Sequence, residues 1–158
     1  MDNVRVGFST SNMFLSKVIR YFTKAKYSHC WLSFEHNGKT YIWQADMGGV
    51  QIDPSDKFFP KWINITWVPL KQPVSLEPAW DLLATNYGYA ILFGDLWVIL
   101  GRWFKQKWKN PLNSAHALVC SQFVLDVLRD PRNSYPGLEG LEESGVEPQE
   151  LFNALTKP

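Results

Sequence analysis

Residues 28–45, SHCWLSFEHNGKTYIWQA, decide the fold class. The segments on either side of the centre are rich in aromatic and β-branched residues, which are typical of strands. Between them, Asn37-Gly38 is a strong signal for a type I′ hairpin turn, because both central residues of that turn take positive φ. The stretch therefore predicts two antiparallel strands, Ser28–Glu35 and Thr40–Ala45.

The two-residue turn also fixes which residues face each other across the hairpin. With this turn, Trp31 lies opposite Gln44 and His29 lies opposite Asp46. Because side chains alternate between the two faces of a sheet, His29, Gln44 and Asp46 share one face. Diagonal neighbours on one face lie within reach of a long amide side chain, so Gln44 is predicted to orient the His29 ring.

Residues 118–128, LVCSQFVLDVL, predict a helix with Cys120 at its front. The positive end of the helix dipole favours a thiolate there, and a neighbouring imidazole would complete an activated nucleophile. His29 is the candidate base, and His116, just before the helix, is the alternative. Taken alone, Cys120 would be predicted as a buried core thiol. Cys30 is predicted to be one, because it points to the opposite strand face from His29.

Composition limits the class of protein. The 158 residues, 46% hydrophobic and 20% charged, predict one compact domain over residues 1–158. A net charge of +1 gives no electrostatic case for nucleic acid as a partner. The two cysteines are predicted to be reduced thiols, and they form no paired metal-ligand spacing with the three histidines. Neither a metal nor another cofactor is predicted.

The remaining elements complete an α+β pattern, an antiparallel sheet packed with helices. Strands are predicted over Val4–Phe8, Val50–Ile52 and Ile63–Pro69. Helices are predicted after the N-cap candidates Ser9-Thr-Ser-Asn12 through about Phe22, from Pro78 to about Tyr87, and over Glu147–Leu155.

Residues 89–104 are the most apolar part of the chain, but glycines and charged residues interrupt them, so no transmembrane span is predicted. Trp97, Trp103 and Trp108 lie beside Lys105, Lys107 and Lys109. This pattern is typical of a segment at a membrane surface or of a buried helix with a basic end. No secretory signal is visible, so the chain is predicted to be cytoplasmic as synthesised, with any delivery to the cell envelope by another route.

Several motifs, taken in order, resemble those of the circularly permuted branch of the NlpC/P60 papain-like superfamily, the YaeF/YiiX-type amidases. Lecithin:retinol acyltransferase is a more distant relative of that branch. The resemblance covers most of the chain, and the matching segments are Ser16-Lys-Val-Ile-Arg20, Tyr27-Ser-His29, Gln44-Ala45, Gly49-Val-Gln-Ile52, Gly88-Tyr89, Cys120-Ser-Gln-Phe-Val124 and Val146-Glu-Pro-Gln-Glu-Leu-Phe152.

The resemblance implies a papain-like fold with the nucleophile at a helix N-terminus, and a cysteine peptidase or amidase that needs no cofactor. It assigns the nucleophile to Cys120, the base to His29 and the orienting role to Gln44. Tyr89 is a weaker match for a substrate or oxyanion residue. The family usually has a carboxylate where this chain has Gln44. An amide accepts a hydrogen bond from imidazole but cannot stabilise imidazolium by charge.

The substrate implied by the resemblance is a peptide-like amide, with peptidoglycan as one example in a phage or bacterial setting. The link to lecithin:retinol acyltransferase also allows lipid esters or acyl transfer. Two other classes stay open: a papain-like structural or binding module without turnover, which the Gln44 departure favours, and an acyltransferase or thioesterase in peripheral contact with a membrane. The sequence does not indicate an oligomeric state.

Overall fold

The structure, a computed structural model, describes residues 2–10, 17, 20–21, 25–46, 48–87, 117–142 and 146–157. Its main strands are β1 (Asp2–Thr10), β2 (His29–His36), β3 (Lys39–Asp46), β4 (Gly49–Pro54) and β5 (Ile63–Pro69). They form one sheet in the order β4-β3-β2-β1-β5, and every neighbouring pair is antiparallel. The three strands predicted outside the hairpin are confirmed.

Helices and two short strands surround this sheet. The helices are α1 (Ser55–Phe58), α2 (Glu77–Asp81), α3 (Cys120–Arg129) and α4 (Pro148–Thr156), with a 3-10 turn at Phe59–Lys61 directly after α1. The short strands β6 (Asn86–Tyr87) and β7 (Ala117–Leu118) pair with each other in parallel. The prediction of an antiparallel sheet packed with helices is confirmed.

The central hairpin has the predicted turn and register. Asn37 and Gly38 have φ values of 51° and 72°, as a type I′ turn requires. The opposed residues run from Leu32 and Trp43 at one end of the ladder to His36 and Lys39 beside the turn. This is the register that follows from a two-residue turn.

The two faces of the sheet differ in what covers them. On the helix face, α3 packs against β2 and β3, and the buried side chains include Cys30, Leu32 and Trp43. On the opposite face, which we call the aromatic face, the fully buried Trp31 and Ile42 pack with Phe58 and a group of partly buried side chains: Phe59, Trp62, Ile65 and Trp67.

Gly7 allows the aromatic face to close. This residue of β1 lies between Trp31 on β2 and Trp67 on β5. A Cβ atom on Gly7 would lie 2.3 Å from the Trp31 indole, which is far inside van der Waals contact. The indole therefore occupies the space of a side chain that glycine lacks.

The helix predicted from Pro78 to about Tyr87 is wrong in its second half. Helix α2 ends at Asp81, and Ala84 takes a φ of 63°. The Ala84 amide donates to the Val50 carbonyl (3.0 Å), and the Val50 amide donates to the Thr85 carbonyl (2.8 Å). Tertiary hydrogen bonds with β4 thus outweigh local helix propensity, and the chain continues into β6.

The same connection helps to place α3. Because β6 pairs with β7, and only Val119 separates β7 from α3, the start of α3 is held near the edge of the sheet. The helix predicted over Glu147–Leu155 is confirmed as α4, with a capping box between Glu147 and Glu150.

Two sequence predictions fall mainly outside the described residues: the helix between Ser9 and Phe22, and the apolar stretch of residues 89–104 with its flanking tryptophans. Within the described ranges, no helix has both the length and the apolar character needed to cross a bilayer.

Candidate active site

Cys120 is the first residue of α3, as predicted. Val119 before it is extended, so the chain enters the helix directly from β7. The buried Ser121 hydroxyl donates to the Val146 carbonyl (2.6 Å) and fixes the helix start to the segment before α4. Cys120 is 7% exposed, and its position at the helix start favours a negative charge on sulfur.

His29 is the first residue of β2 and is 4% exposed. Its ring stacks on the Trp62 indole, with centroids 4.1 Å apart and planes 6° from parallel. Trp62 follows the 3-10 turn after α1, an element that the sequence analysis missed. The aromatic face thus covers one side of the imidazole and limits its contact with water.

Gln44 on β3 contacts the His29 ring as predicted. Its Oε1 atom lies 2.8 Å from His29 Nε2, and the side chain is 1% exposed. Its amide Nε2 donates to the Asp53 carboxylate of β4 (2.7 Å). The Gln51 amide donates to the same carboxylate oxygen (3.2 Å). The orienting amide therefore lies between an imidazole and a carboxylate.

The Cys120 sulfur lies where the helix face meets the His29 end of β2. It is hydrogen-bonded to the Cys30 thiol, the Cys30 backbone amide and the His29 ring. The structure therefore brings Cys120, His29 and Gln44 together. His29 fills the position next to the sulfur, and His116, the alternative base, lies outside the described residues, as does Tyr89.

These contacts set the charge of the site. The hydrogen bond from Cys30 is the largest cause that lowers the pKa of Cys120 well below its ordinary value; burial opposes the shift, and the charge and hydrogen bond of His29 add to it. Burial lowers the pKa of His29, but Cys120, Asp46 and Gln44 together outweigh it, so the net pKa is raised. A thiol pKa that falls and an imidazole pKa that rises favour a thiolate–imidazolium pair.

Cys30 shows the opposite behaviour. It is fully buried in the core, as predicted, and burial raises its pKa well above the ordinary value; the hydrogen bond and negative charge of Cys120 raise it further. Cys30 therefore stays protonated and can donate to the Cys120 sulfur. Sequence analysis missed this contact, because strand alternation predicts the face of Cys30 but not which helix end meets it.

Asp53 and Trp62 were also missed. Alternation along β4 places Gln51 and Asp53 on the same face, and their pairing with β3 would have placed Asp53 near Gln44. No local sequence pattern predicted that the Trp62 indole would stack on the His29 ring.

No family model matches this sequence, and no curated protein matches it. Among solved structures, the chain is similar to the crystal structure of the metalloprotein YiiX from Escherichia coli O157:H7 (DUF1105). The two share 19% sequence identity and a TM-score of 0.66, over 96% of this chain and 92% of the other.

The description of that neighbour as a metalloprotein can be tested against the side chains of this chain. Among the described residues, no group of three or more His, Cys, Asp and Glu side chains is placed to hold a metal ion. The described residues around Cys120 therefore do not fit a metal ion.

A TM-score of 0.66 over nearly the whole of both chains establishes a shared fold. The mixed sheet-and-helix arrangement of this chain is therefore a YiiX-type fold.

Proposed function

We propose that this protein is a cysteine hydrolase that cleaves a peptide-like amide bond through Cys120 and His29, in a permuted papain-like arrangement. The observation that carries the proposal is the buried chain of contacts from the Cys120 sulfur to the His29 ring and on to Gln44. An activated nucleophile needs a sulfur, a base and a group that orients the base, and these three side chains supply them.

The reaction begins with the thiolate form of Cys120, which attacks the carbonyl carbon of the amide. The tetrahedral intermediate collapses when the C–N bond breaks, and the His29 imidazolium gives its proton to the leaving amine. The neutral ring then takes a proton from water, which attacks the thioester of the acyl-enzyme. The acid product leaves, and the thiolate–imidazolium pair is restored.

Two further features support this chemistry. The Cys120 backbone amide is at the first position of α3, where amides have no intrahelical acceptor, so it can donate to the developing oxyanion. Gln44 accepts a hydrogen bond from the ring in both protonation states, and therefore holds its orientation throughout the cycle.

Peptide-like amides are the substrate class that the sequence resemblance favours, and peptidoglycan stem peptides are the first to test. If the substrate lies in the cell envelope, the protein must reach it by lysis, injection or another export route. Lipid esters belong in the same screen, because a thiolate also attacks esters.

The first experiment measures the alkylation rate of each cysteine against pH, by peptide mass spectrometry. Cys120 should be labelled well below the pH of about 8.5 at which an ordinary thiol ionises, while Cys30 should stay unlabelled in the folded protein. His29→Ala should abolish this early labelling. His36→Ala is the matched control, because His36 is an exposed hairpin residue, and it should behave as wild type.

Turnover is then tested with amides and esters in wild type and Cys120→Ala. Hydrolysis by the wild type alone supports the proposal. Slow labelling of Cys120 that does not depend on His29, together with full competence of Cys120→Ala in an assembly or binding assay, would contradict it and favour the structural-module class.

A further inference from the structure

We propose that Asp53 is a positioning residue: its contact with Gln44 fixes the direction of the hydrogen bonds that end at His29, so that the ring presents its Nδ1 atom to Cys120 as a proton acceptor. This inference rests on the proposed function, because it names a further residue that the same site needs.

The geometry brings Asp53 to Gln44 across two strands. In the β3–β4 ladder, Gln44 is opposite Gln51, and Ile42 is opposite Asp53. Gln44 and Asp53 are thus diagonal neighbours on the aromatic face, and their side chains meet at 2.7 Å. Asp53 is half-buried, and the Gln51 amide, bonded to the same oxygen at 3.2 Å, limits its movement.

The donor and acceptor groups of Asp53, Gln44 and His29 allow these hydrogen bonds to run in only one direction. An ionised carboxylate can only accept hydrogen bonds, so the amide nitrogen of Gln44 must face Asp53. The Gln44 oxygen then faces His29 Nε2, and because this oxygen can only accept, Nε2 must carry the hydrogen. A neutral ring with hydrogen on Nε2 has an unprotonated Nδ1, which can take the thiol proton.

Without the Asp53 carboxylate, the direction of the hydrogen bonds from His29 to Gln44 is no longer fixed. An asparagine at position 53 could accept from Gln44 or donate to it, and the reversed direction would turn the Gln44 nitrogen towards His29. The ring would then carry its hydrogen on Nδ1 and could not act as a base towards Cys120. Because Gln44 is an amide, either its oxygen or its nitrogen can face His29. Asp53 fixes the orientation in which the oxygen faces the ring.

Other charged or titratable groups also act on His29 and must be separated from Asp53. Cys120 faces the ring from α3, and Asp46 acts on it from β3, whereas Trp62, Trp31 and Phe58 contribute apolar rings only. Asp46→Asn is the matched control, because it removes a nearby carboxylate charge but leaves the Gln44–Asp53 contact intact.

The test compares wild type, Asp53→Asn, Gln44→Glu and the double variant Gln44→Glu/Asp53→Asn. In the double variant, the asparagine can donate to the new carboxylate, and that carboxylate can accept from His29 Nε2, so the direction is fixed again. Gln44→Glu alone places two carboxylates against each other. Thermal unfolding establishes that each variant is folded before comparison.

Two readouts are used. Nitrogen-15 NMR of histidine-labelled protein reports the His29 tautomer on the alkaline side of its titration, with the His29 signal identified by its loss in His29→Ala. The alkylation rate of Cys120 against pH reports the thiolate. Neither readout needs a substrate, so a wild type that labels fast and cleaves nothing would contradict the proposed function, while the tautomer comparison would still decide the role of Asp53.

We expect wild type and Asp46→Asn to show the Nε2–H tautomer, and Asp53→Asn to show a mixture with labelling about tenfold slower, by analogy with the hydrogen-bond partners of metal-bound histidines, whose loss costs about 10–100-fold. The double variant should regain the single tautomer and most of the rate. An unchanged tautomer and rate in Asp53→Asn would overturn the proposal, and so would a double variant as slow as the product of the two single effects.

Discussion

The two faces of the central sheet carry different kinds of side chain, although they share the same strands. The helix face buries thiol, aliphatic and aromatic groups against α3, whereas the aromatic face holds His29, Gln44 and Asp53 among its rings. Cys120 is hydrogen-bonded to the free thiol of Cys30, which belongs to the helix face, and to His29, which belongs to the aromatic face. Most of the buried apolar side chains lie on the helix face, whereas the proposed chemistry depends on a contact at the boundary between the two faces.

The two cysteines show the same contrast on a smaller scale. Both are buried, yet the pKa of Cys30 is raised and that of Cys120 is lowered. Burial opposes charge on either sulfur, so the difference comes from the hydrogen bonds and from His29, which is bonded only to the Cys120 sulfur.

The largest expected effect is on the helix face. Phe123→Ala removes a fully buried ring from α3 and should lower the free energy of unfolding by about 3–5 kcal/mol, because the core cannot refill the space. Chemical denaturation measures this change. Phe152→Ala is the control, because this ring packs against the same core but is only partly buried, and it should have a smaller effect; equal losses would contradict the greater contribution of the fully buried Phe123.

Cys30→Ala should change reactivity more than stability. It removes the thiol that donates to the Cys120 sulfur, and a hydrogen bond to a charged group contributes roughly 1.5–3 kcal/mol, so labelling at acidic pH should slow by about tenfold or more. In Cys30→Ala, the pH at which the Cys120 thiol ionises should therefore rise. Since the chain has only two cysteines, all labelling in this variant reports Cys120. Cys30→Ser keeps a donor and should stay close to wild type; identical behaviour of the two variants would show that the thiol donor is unimportant.

Gly7→Ala tests the aromatic face. The added methyl group would lie 2.3 Å from a fully buried indole. The indole or the backbone must shift to make room, and this strain should lower the free energy of unfolding by about 1–3 kcal/mol. Gly140→Ala is the control, because nothing lies within 4 Å of its added Cβ. A thermal unfolding temperature equal in the two variants would mean that Trp31 moves freely aside.

Much of this arrangement could be predicted from local sequence. The Asn37-Gly38 turn sets the register of the hairpin, and that register places Gln44 on the same face as His29. The apolar period of residues 118–128 places Cys120 at the start of α3. These predictions succeed because a turn type or a helix period acts over a few residues and leaves few alternatives.

The failures concern contacts between distant segments. The helix predicted beyond Asp81 is replaced by a turn and a short strand, and the turn forms hydrogen bonds with Val50, much earlier in the chain. The stacking of Trp62 on His29 depends on the short turn after α1, whose residues lack a helix period. Asp53 was within reach of strand-pairing arguments, but only after the β3–β4 register was known.

The smallest expected effect tests whether the placement of the α3 start, rather than the contacts of the Cys120 sulfur, controls the charge of Cys120. Ser121→Ala removes the buried hydrogen bond to the Val146 carbonyl and should lower the free energy of unfolding by about 1–2 kcal/mol, because that carbonyl loses a partner. Ser33→Ala, on the aromatic face, should cost less, since its hydroxyl lies 3.4 Å from the Arg5 carbonyl, a weak geometry. The labelling pH of Cys120 should be unchanged in both, because its sulfur bonds to Cys30 and His29 and not to either serine. If Ser121→Ala raised that pH while Cys30→Ala did not, the position of the helix start, rather than the contacts of the sulfur, would control the thiolate.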